Sequence, residues 1–206
     1  MIIDDLSAEA LKLEYISLLK STNRKNIDAV INWLENKSDF FYAPSSTAYH
    51  GNHKYGLLMH SMNVYKLVNE IYNTIKTLKP DVSISSENII ISALLHDICK
   101  CNFYKEKTKY RKTDFGGWEE YQGYEVQDAF PYGHGEKSVL FLQMLGLEME
   151  LQDILAIRWH MGAWDGAMLQ NDVRMAYSAA IETYPLCTII QSADSMASML
   201  LETRKK

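Results

Sequence analysis

Two potential metal ligands stand side by side at the end of the apolar run IIISALLHDICK, His96 and Asp97. Four more side chains of the same kind recur along the chain. They are His60 in GLLMHSMNV, His134 in YGHGEKS, His160 in AIRWHMG and Asp194 in QSADSMA. Four imidazoles and two carboxylates suit divalent first-row ions, and Asp97 has two oxygens with which to bridge a pair of them. Taken singly, each histidine reads more readily as a buried, hydrogen-bonded residue, and no compact motif such as HExxH is present. Taken together the balance changes, because aspartates on apolar faces are costly unless something charged pairs with them.

The elements that must position these groups are helices. Apolar residues at Ile90, Leu94 and Ile98 give the HD segment a core-facing side that Asp97 shares, with Ser85 or Ser86 as its cap. His60 lies early on a long helix, 57–78, on a stripe with Val64, Leu67, Val68 and Ile71 that Pro80 ends. His134 sits between Gly133 and Gly135 at the start of a helix that also carries Lys137, Phe141, Leu142 and Leu145, with Gly146 closing it. His160 falls near the end of a helix spanning 151–161, and a further helix covers 173–184. Asp194 interrupts the apolar stripe of the last helix, 186–202, formed by Cys187, Ile190, Ala197, Ser198 and Leu201. A Lys/Arg tail follows Glu202. Upstream, helices are expected over 7–20, with Ser7 as cap, and over 24–38, burying Ile27, Val30, Ile31 and Leu34. An ordered loop follows over 39–56, and its His50 and His53 read as surface or loop-packing residues.

The segment 101–132 differs. Lys105, Lys107, Lys109, Arg111 and Lys112 precede the Gly116–Gly117 pair, and Trp118, Tyr121 and Tyr124 follow it among acidic residues. Two short strands forming a projecting hairpin are expected. A basic arm there could cover a phosphorylated ligand, with Phe103, Trp118 and Tyr121 available to stack on a base.

Size and charge limit what such a site could serve. The 206 residues are 47% hydrophobic and 23% charged, as in an ordinary globular protein. They suit one helical domain over 1–206, with 1–54 packed on it and 101–132 inserted. A net charge of -5 argues against a duplex-DNA surface. No run is long enough to span a bilayer, and the acidic N-terminus lacks the order of a signal peptide. The three cysteines have neither disulfide-framework density nor CxxC spacing, so a cytoplasmic protein with reduced thiols is expected.

The order and local sequence of the six groups resemble the HD-domain superfamily over roughly residues 55–200. His60 matches its first histidine, His96–Asp97 the named pair, and Asp194 the late aspartate. His134 and His160 match the two extra histidines of its two-metal members. One departure is HDICK, in which Cys99 stands where the family usually has glycine. The resemblance implies an all-α helical bundle with one or two divalent ions of Mn, Fe, Ni, Co or Zn. One would be held by His60, His96, Asp97 and Asp194, the other by Asp97, His134 and His160. It implies hydrolysis of a small nucleotide-like phosphoester, such as a nucleoside phosphate, a cyclic nucleotide or a single-stranded nucleic-acid end. Asp97 would then be catalytic, and Lys100 and Lys137 are the expected contacts to phosphate oxygens. Two other readings stay open: a diiron oxygenase, which some HD-like proteins are with the same six ligands, and a scaffold with a structural metal. Oligomeric state is not legible.

Overall fold

The structure, a computed structural model, describes residues 3–202. The helices are α1 (Asp5–Ser21), α2 (Ile27–Asn36), α3 (Gly56–Leu78), α4 (Ser86–Leu95), α5 (Gly135–Met144), α6 (Leu151–Arg158), α7 (Asn171–Thr183) and α8 (Pro185–Met196). A hairpin of β1 (Tyr104–Lys112) and β2 (Trp118–Val126) interrupts them, so the fold is the expected helical bundle with a β-hairpin insertion. Among the described residues no helix is long and apolar enough to cross a membrane. The basic tail beyond Glu202 lies outside them.

Helix α4 is the axis of the bundle. All of Asn88–Leu95 is buried, so the IIISALL run is enclosed on every side rather than presenting one core-facing stripe. Ile90, Ile91, Leu94 and Leu95 pack into a first core with Tyr15, Leu19, Val30, Leu34, Phe40 and the start of α3. Ile89 and Ala93 pack into a second core with Val64, Val68, Ala156, Leu186 and Ile190. Serving both cores requires a side chain in every direction, which explains the absence of a polar face. The α1 tyrosine fastens α1 to the end of α4, since the buried Tyr15 hydroxyl donates to the Leu94 carbonyl at 2.8 Å.

Helices α4 and α6 run side by side in one direction. Their starts are pinned by Asn88, whose amide donates to Asp153 at 2.7 Å and to Glu150 at 3.0 Å. The buried Arg24 guanidinium lies 3.4 Å from both of those carboxylates. With their N-termini fastened, their far ends deliver His96 and His160 to one place. Where α5 begins, the chain passes so close to the end of α6 that a Cβ on Gly135 would overlap the Arg158 carbonyl oxygen. That approach holds His134, one residue before Gly135, beside His160, two residues after Arg158.

Several boundaries differ from the sequence reading for local reasons. Asp4, not Ser7, caps α1, its carboxylate accepting from the Ser7 amide at 2.8 Å. Helix α2 starts only at Ile27 because Asn26 adopts φ +66°. Helix α4 stops at Leu95, and Asp97 has left helical geometry with φ -103° and ψ 18°. Its aim therefore comes from the break, not from the apolar stripe. Helix α6 likewise stops at Arg158, leaving His160 in a turn. Helix α8 ends at Met196 and passes into a π-helical turn, Ala197–Leu201. The wider turn leaves Leu201 50% exposed and brings Glu202 inward to 8%.

The hairpin pairs Tyr104 with Val126 at its root and Lys112 with Trp118 near its turn. Strand alternation puts Lys105, Lys107, Lys109 and Arg111 on one face. Two of the four are paired across the strands, Lys107 with Glu125 at 2.5 Å and Arg111 with Glu119.

Substituting Gly135→Ala should lower the free energy of unfolding by about 1–3 kcal/mol, because the added methyl must push α5 from α6. Urea denaturation would measure it, and a midpoint equal to wild type would mean that the two helices separate without cost.

Candidate metal centre

The six groups singled out from the sequence converge on one carboxylate. Asp97 is 2% exposed, and its two oxygens face different histidine pairs. Oδ2 lies 3.4 Å from Nε2 of His60 and 3.4 Å from Nε2 of His96. Oδ1 lies 2.9 Å from Nε2 of His134 and 3.5 Å from Nε2 of His160. Asp194 reaches the first pair, with Oδ1 3.2 Å from His60 Nε2. The groups His60–His96–Asp97, His96–His160–Asp194 and Asp97–His134–His160 are thus positioned to chelate one or two divalent ions.

The imidazoles are oriented for ligation by what their other nitrogens do. Nδ1 of His96 donates to the Ala93 carbonyl at 2.9 Å, and Nδ1 of His160 donates to the Ile157 carbonyl at 2.7 Å. A carbonyl can only accept, so each Nδ1 carries the proton and each Nε2 presents a lone pair in the neutral ring. His60 Nδ1 faces the Glu202 carboxylate at 3.0 Å, and Glu202 is itself held by the Asn63 amide at 3.0 Å. A carboxylate behind a ligating histidine fixes its ring and raises its basicity. One observation shows that a cation fits the space in front: His160 Nε2 is buried without a hydrogen-bond partner. His60 and His96 point their Nε2 atoms at each other across 3.2 Å, so without an ion a proton on His60 stands between them.

Electrostatics agree. Burial opposes charge on His60, yet Asp194, Asp97 and Glu202 outweigh it and hold its pKa well above the ordinary 6.5. Burial also opposes charge on Asp97, but Lys100, His96 and the bond from His134 hold its carboxyl well below 3.8. Asp194 is depressed in the same way, with His60 the main partner. Burial lowers the pKa of His134. It also pushes the Cys99 thiol up to about 12, so this cysteine, 3.4 Å from His134 Nδ1, is a thiol rather than a thiolate ligand.

The expected phosphate contacts part company. Lys100 joins the site, its ammonium 2.6 Å from Asp97 Oδ2. Lys137 is buried, and its ammonium meets Asp128 at 2.5 Å between the rings of Phe103 and Phe130. Arg158 turns away to Glu136 and Asp165. Trp118 and Tyr121 sit toward the hairpin turn; the turn is on the order of 25 Å from the root, given ~3.3 Å per strand residue. Only Phe103, of the three aromatics considered, lies at the root. Two residues missed from the sequence belong here. His50, read as a loop residue, has its ring 5.0 Å from that of His60. Glu202 carried no signal at all, because its burial depends on the π-helical turn. His53 stays outside, bonded to the Lys54 carbonyl.

Helix ends carrying histidines and aspartates around a shared carboxylate define a helical metal centre of the kind that serves metal-dependent phosphohydrolases. The chain matches the HD domain family over residues 57–199, well over half its length, and belongs to that family. Comparison with curated proteins and with solved structures finds no match.

Because Asp194, Asp97 and Glu202 favour the protonated form of His60, an ion must compete with protons for the site, whereas Asp97 and Asp194 are held in the ionised form. Titration with Mn²⁺ by calorimetry in buffers of different ionisation heat should show net proton release. Affinity should rise with pH through the neutral range; pH-independent binding would contradict the assignment. Glu202→Gln should weaken metal affinity by roughly 10–100-fold while leaving the fold intact, as read by circular dichroism.

Proposed function

We propose that this protein hydrolyses a small, nucleotide-like phosphoester in the cytoplasm, using two divalent ions. The observation that carries this reading is the division of Asp97, with one oxygen facing His60 and His96 and the other facing His134 and His160. Asp194 completes the first set. When bound, the ions supply Lewis acidity, a water acidic enough to attack phosphorus near neutral pH, and charge to match the departing oxygen. The remaining work belongs to side chains of this chain.

Asp97 would offer one oxygen, and negative charge, to each of two ions. Lys100 lies beside Asp97, with its side chain 12% exposed and its ammonium 2.6 Å from Oδ2. It would hold a non-bridging phosphate oxygen, a contact that strengthens as negative charge builds during displacement. Lys137 acts at one remove. Its bond to Asp128 and its place between Phe103 and Phe130 fix the root of the hairpin, where Phe103 is available to a base. The protein's acidity favours such a small ligand over a long polyanion.

A panel of phosphate esters offered to the Mn²⁺-loaded protein tests the reading. Turnover should persist without oxygen; strict oxygen dependence would transfer the site to oxygenase chemistry. Asp97→Ala should abolish turnover and reduce bound metal. Lys100→Ala should retain metal and lose about 2–4 kcal/mol of transition-state stabilisation, tens to hundreds of fold in rate. Lys137→Ala should act mainly on KM. Full activity in Lys100→Ala would remove the lysine from the reaction.

A further inference from the structure

His50 lies ten residues before the first expected ligand, in the loop between α2 and α3, and its setting is unlike that of a packing residue. Its Nε2 is buried with no hydrogen-bond partner, and its ring lies 5.0 Å from that of His60. It offers a ring nitrogen within 4.8 Å of ligand atoms of both His60 and Glu202. The loop spends much of its bonding on holding it there. The hydroxyls of Ser45 and Ser46 both donate to the His50 carbonyl, at 2.9 and 2.7 Å. The Ser45 amide donates to the Gly51 carbonyl at 2.9 Å, and Gly51 takes φ +54° to allow it. A Cβ on Gly51 would strike the Ser45 hydroxyl, and one on Gly56 would strike the Gly51 carbonyl, so the loop closes on itself with no slack. The Tyr104 hydroxyl, at the hairpin root, donates to the Ser45 carbonyl at 3.3 Å and joins this platform to the other wall of the site.

A buried imidazole nitrogen left unpartnered is destabilising. Rigid irregular backbone that holds such a group beside a site is the arrangement expected of a ligand contact. The four metal-facing histidines and Asp97 do not need His50, because each ion position already has its ligands from α3, α4, α5, α6 and α8.

We propose that His50 is a substrate-contacting residue, whose Nε2 hydrogen-bonds an oxygen of the bound phosphate group on the His60 side of the centre. It would face Lys100 across the same group, so that phosphate is gripped from the 39–56 loop as well as from the end of α4. This rests on the phosphoesterase reading above.

The test uses inorganic phosphate as the probe, by calorimetry on the Mn²⁺-loaded protein, beside His50→Leu and His50→Gln. His50→Leu should bind Mn²⁺ with wild-type stoichiometry and affinity and melt at the wild-type temperature or above, since an unpartnered polar atom is removed. It should bind phosphate roughly tenfold more weakly, the loss of one hydrogen bond. His50→Gln, which keeps a polar side chain, should fall between, and ester KM should follow the same order. Phosphate binding equal to wild type in both variants would overturn the inference. So would a loss of Mn²⁺ affinity that accounts for the phosphate loss, which would make His50 a ligand or a support for His60. A lowered melting temperature in both variants with unaltered phosphate affinity would leave it a packing residue. Should wild type itself neither bind phosphate nor cleave any ester, the phosphoesterase reading fails, and His50 with it.

Discussion

The structure depends on one buried carboxylate. Asp97 sits where two cores meet, and an isolated ionised aspartate there would carry a desolvation cost larger than its few neutral hydrogen bonds could offset. What keeps it charged is the set of groups gathered around it. Lys100 touches one oxygen, and four imidazoles divide themselves between the two. Removing any one partner leaves the others without enough neighbours. The cluster is therefore a single interdependent unit rather than a row of independent ligands.

Most of that unit is assembled at or just beyond helix ends, with His60 and Asp194 supplied from within α3 and α8. Helices α4 and α6 stop one or two residues short of their histidines, α5 begins one residue after His134, and His60 and Asp194 lie near the start of α3 and the end of α8. Ends leave carbonyls free, and two of these, from Ala93 and Ile157, take the Nδ1 protons and turn Nε2 inward. The polar knot of Arg24, Asn88, Glu150 and Asp153 at the other ends of α4 and α6 holds the same two helices in parallel. Burial of α4 on all sides prevents it from rolling, and so sets where Asp97 emerges.

Around this rigid centre, the parts that vary in character are the 39–56 loop and the hairpin. Both meet at Tyr104 and Ser45. The hairpin contributes no residue to either core, and two ion pairs, Lys107–Glu125 and Arg111–Glu119, cross between its strands. Its root, with Phe103, Asp128 and Lys137, is the portion coupled to the body.

The helical class and the inserted hairpin were legible in local sequence patterns, whereas the six groups that gather around Asp97 gained meaning only as a set. Helical periodicity marks His60 and Asp194 as polar groups on apolar stripes, glycines mark His134, and the HD pair ends an apolar run. The order of these motifs also resembles a family that uses them as ligands. Only the tertiary structure decided how Asp97 divides its oxygens, that Lys100 turns in while Lys137 turns to Asp128, and that His50 and Glu202 join the site. The reason is physical. Periodicity reports which face of an element is buried, but a side chain beyond a helix end takes its direction from the break, and breaks here depend on contacts from distant elements. Glu202 is the clearest case: one π-helical turn moves it from the end of an apolar stripe to the back of His60, and no residue before it announces that turn.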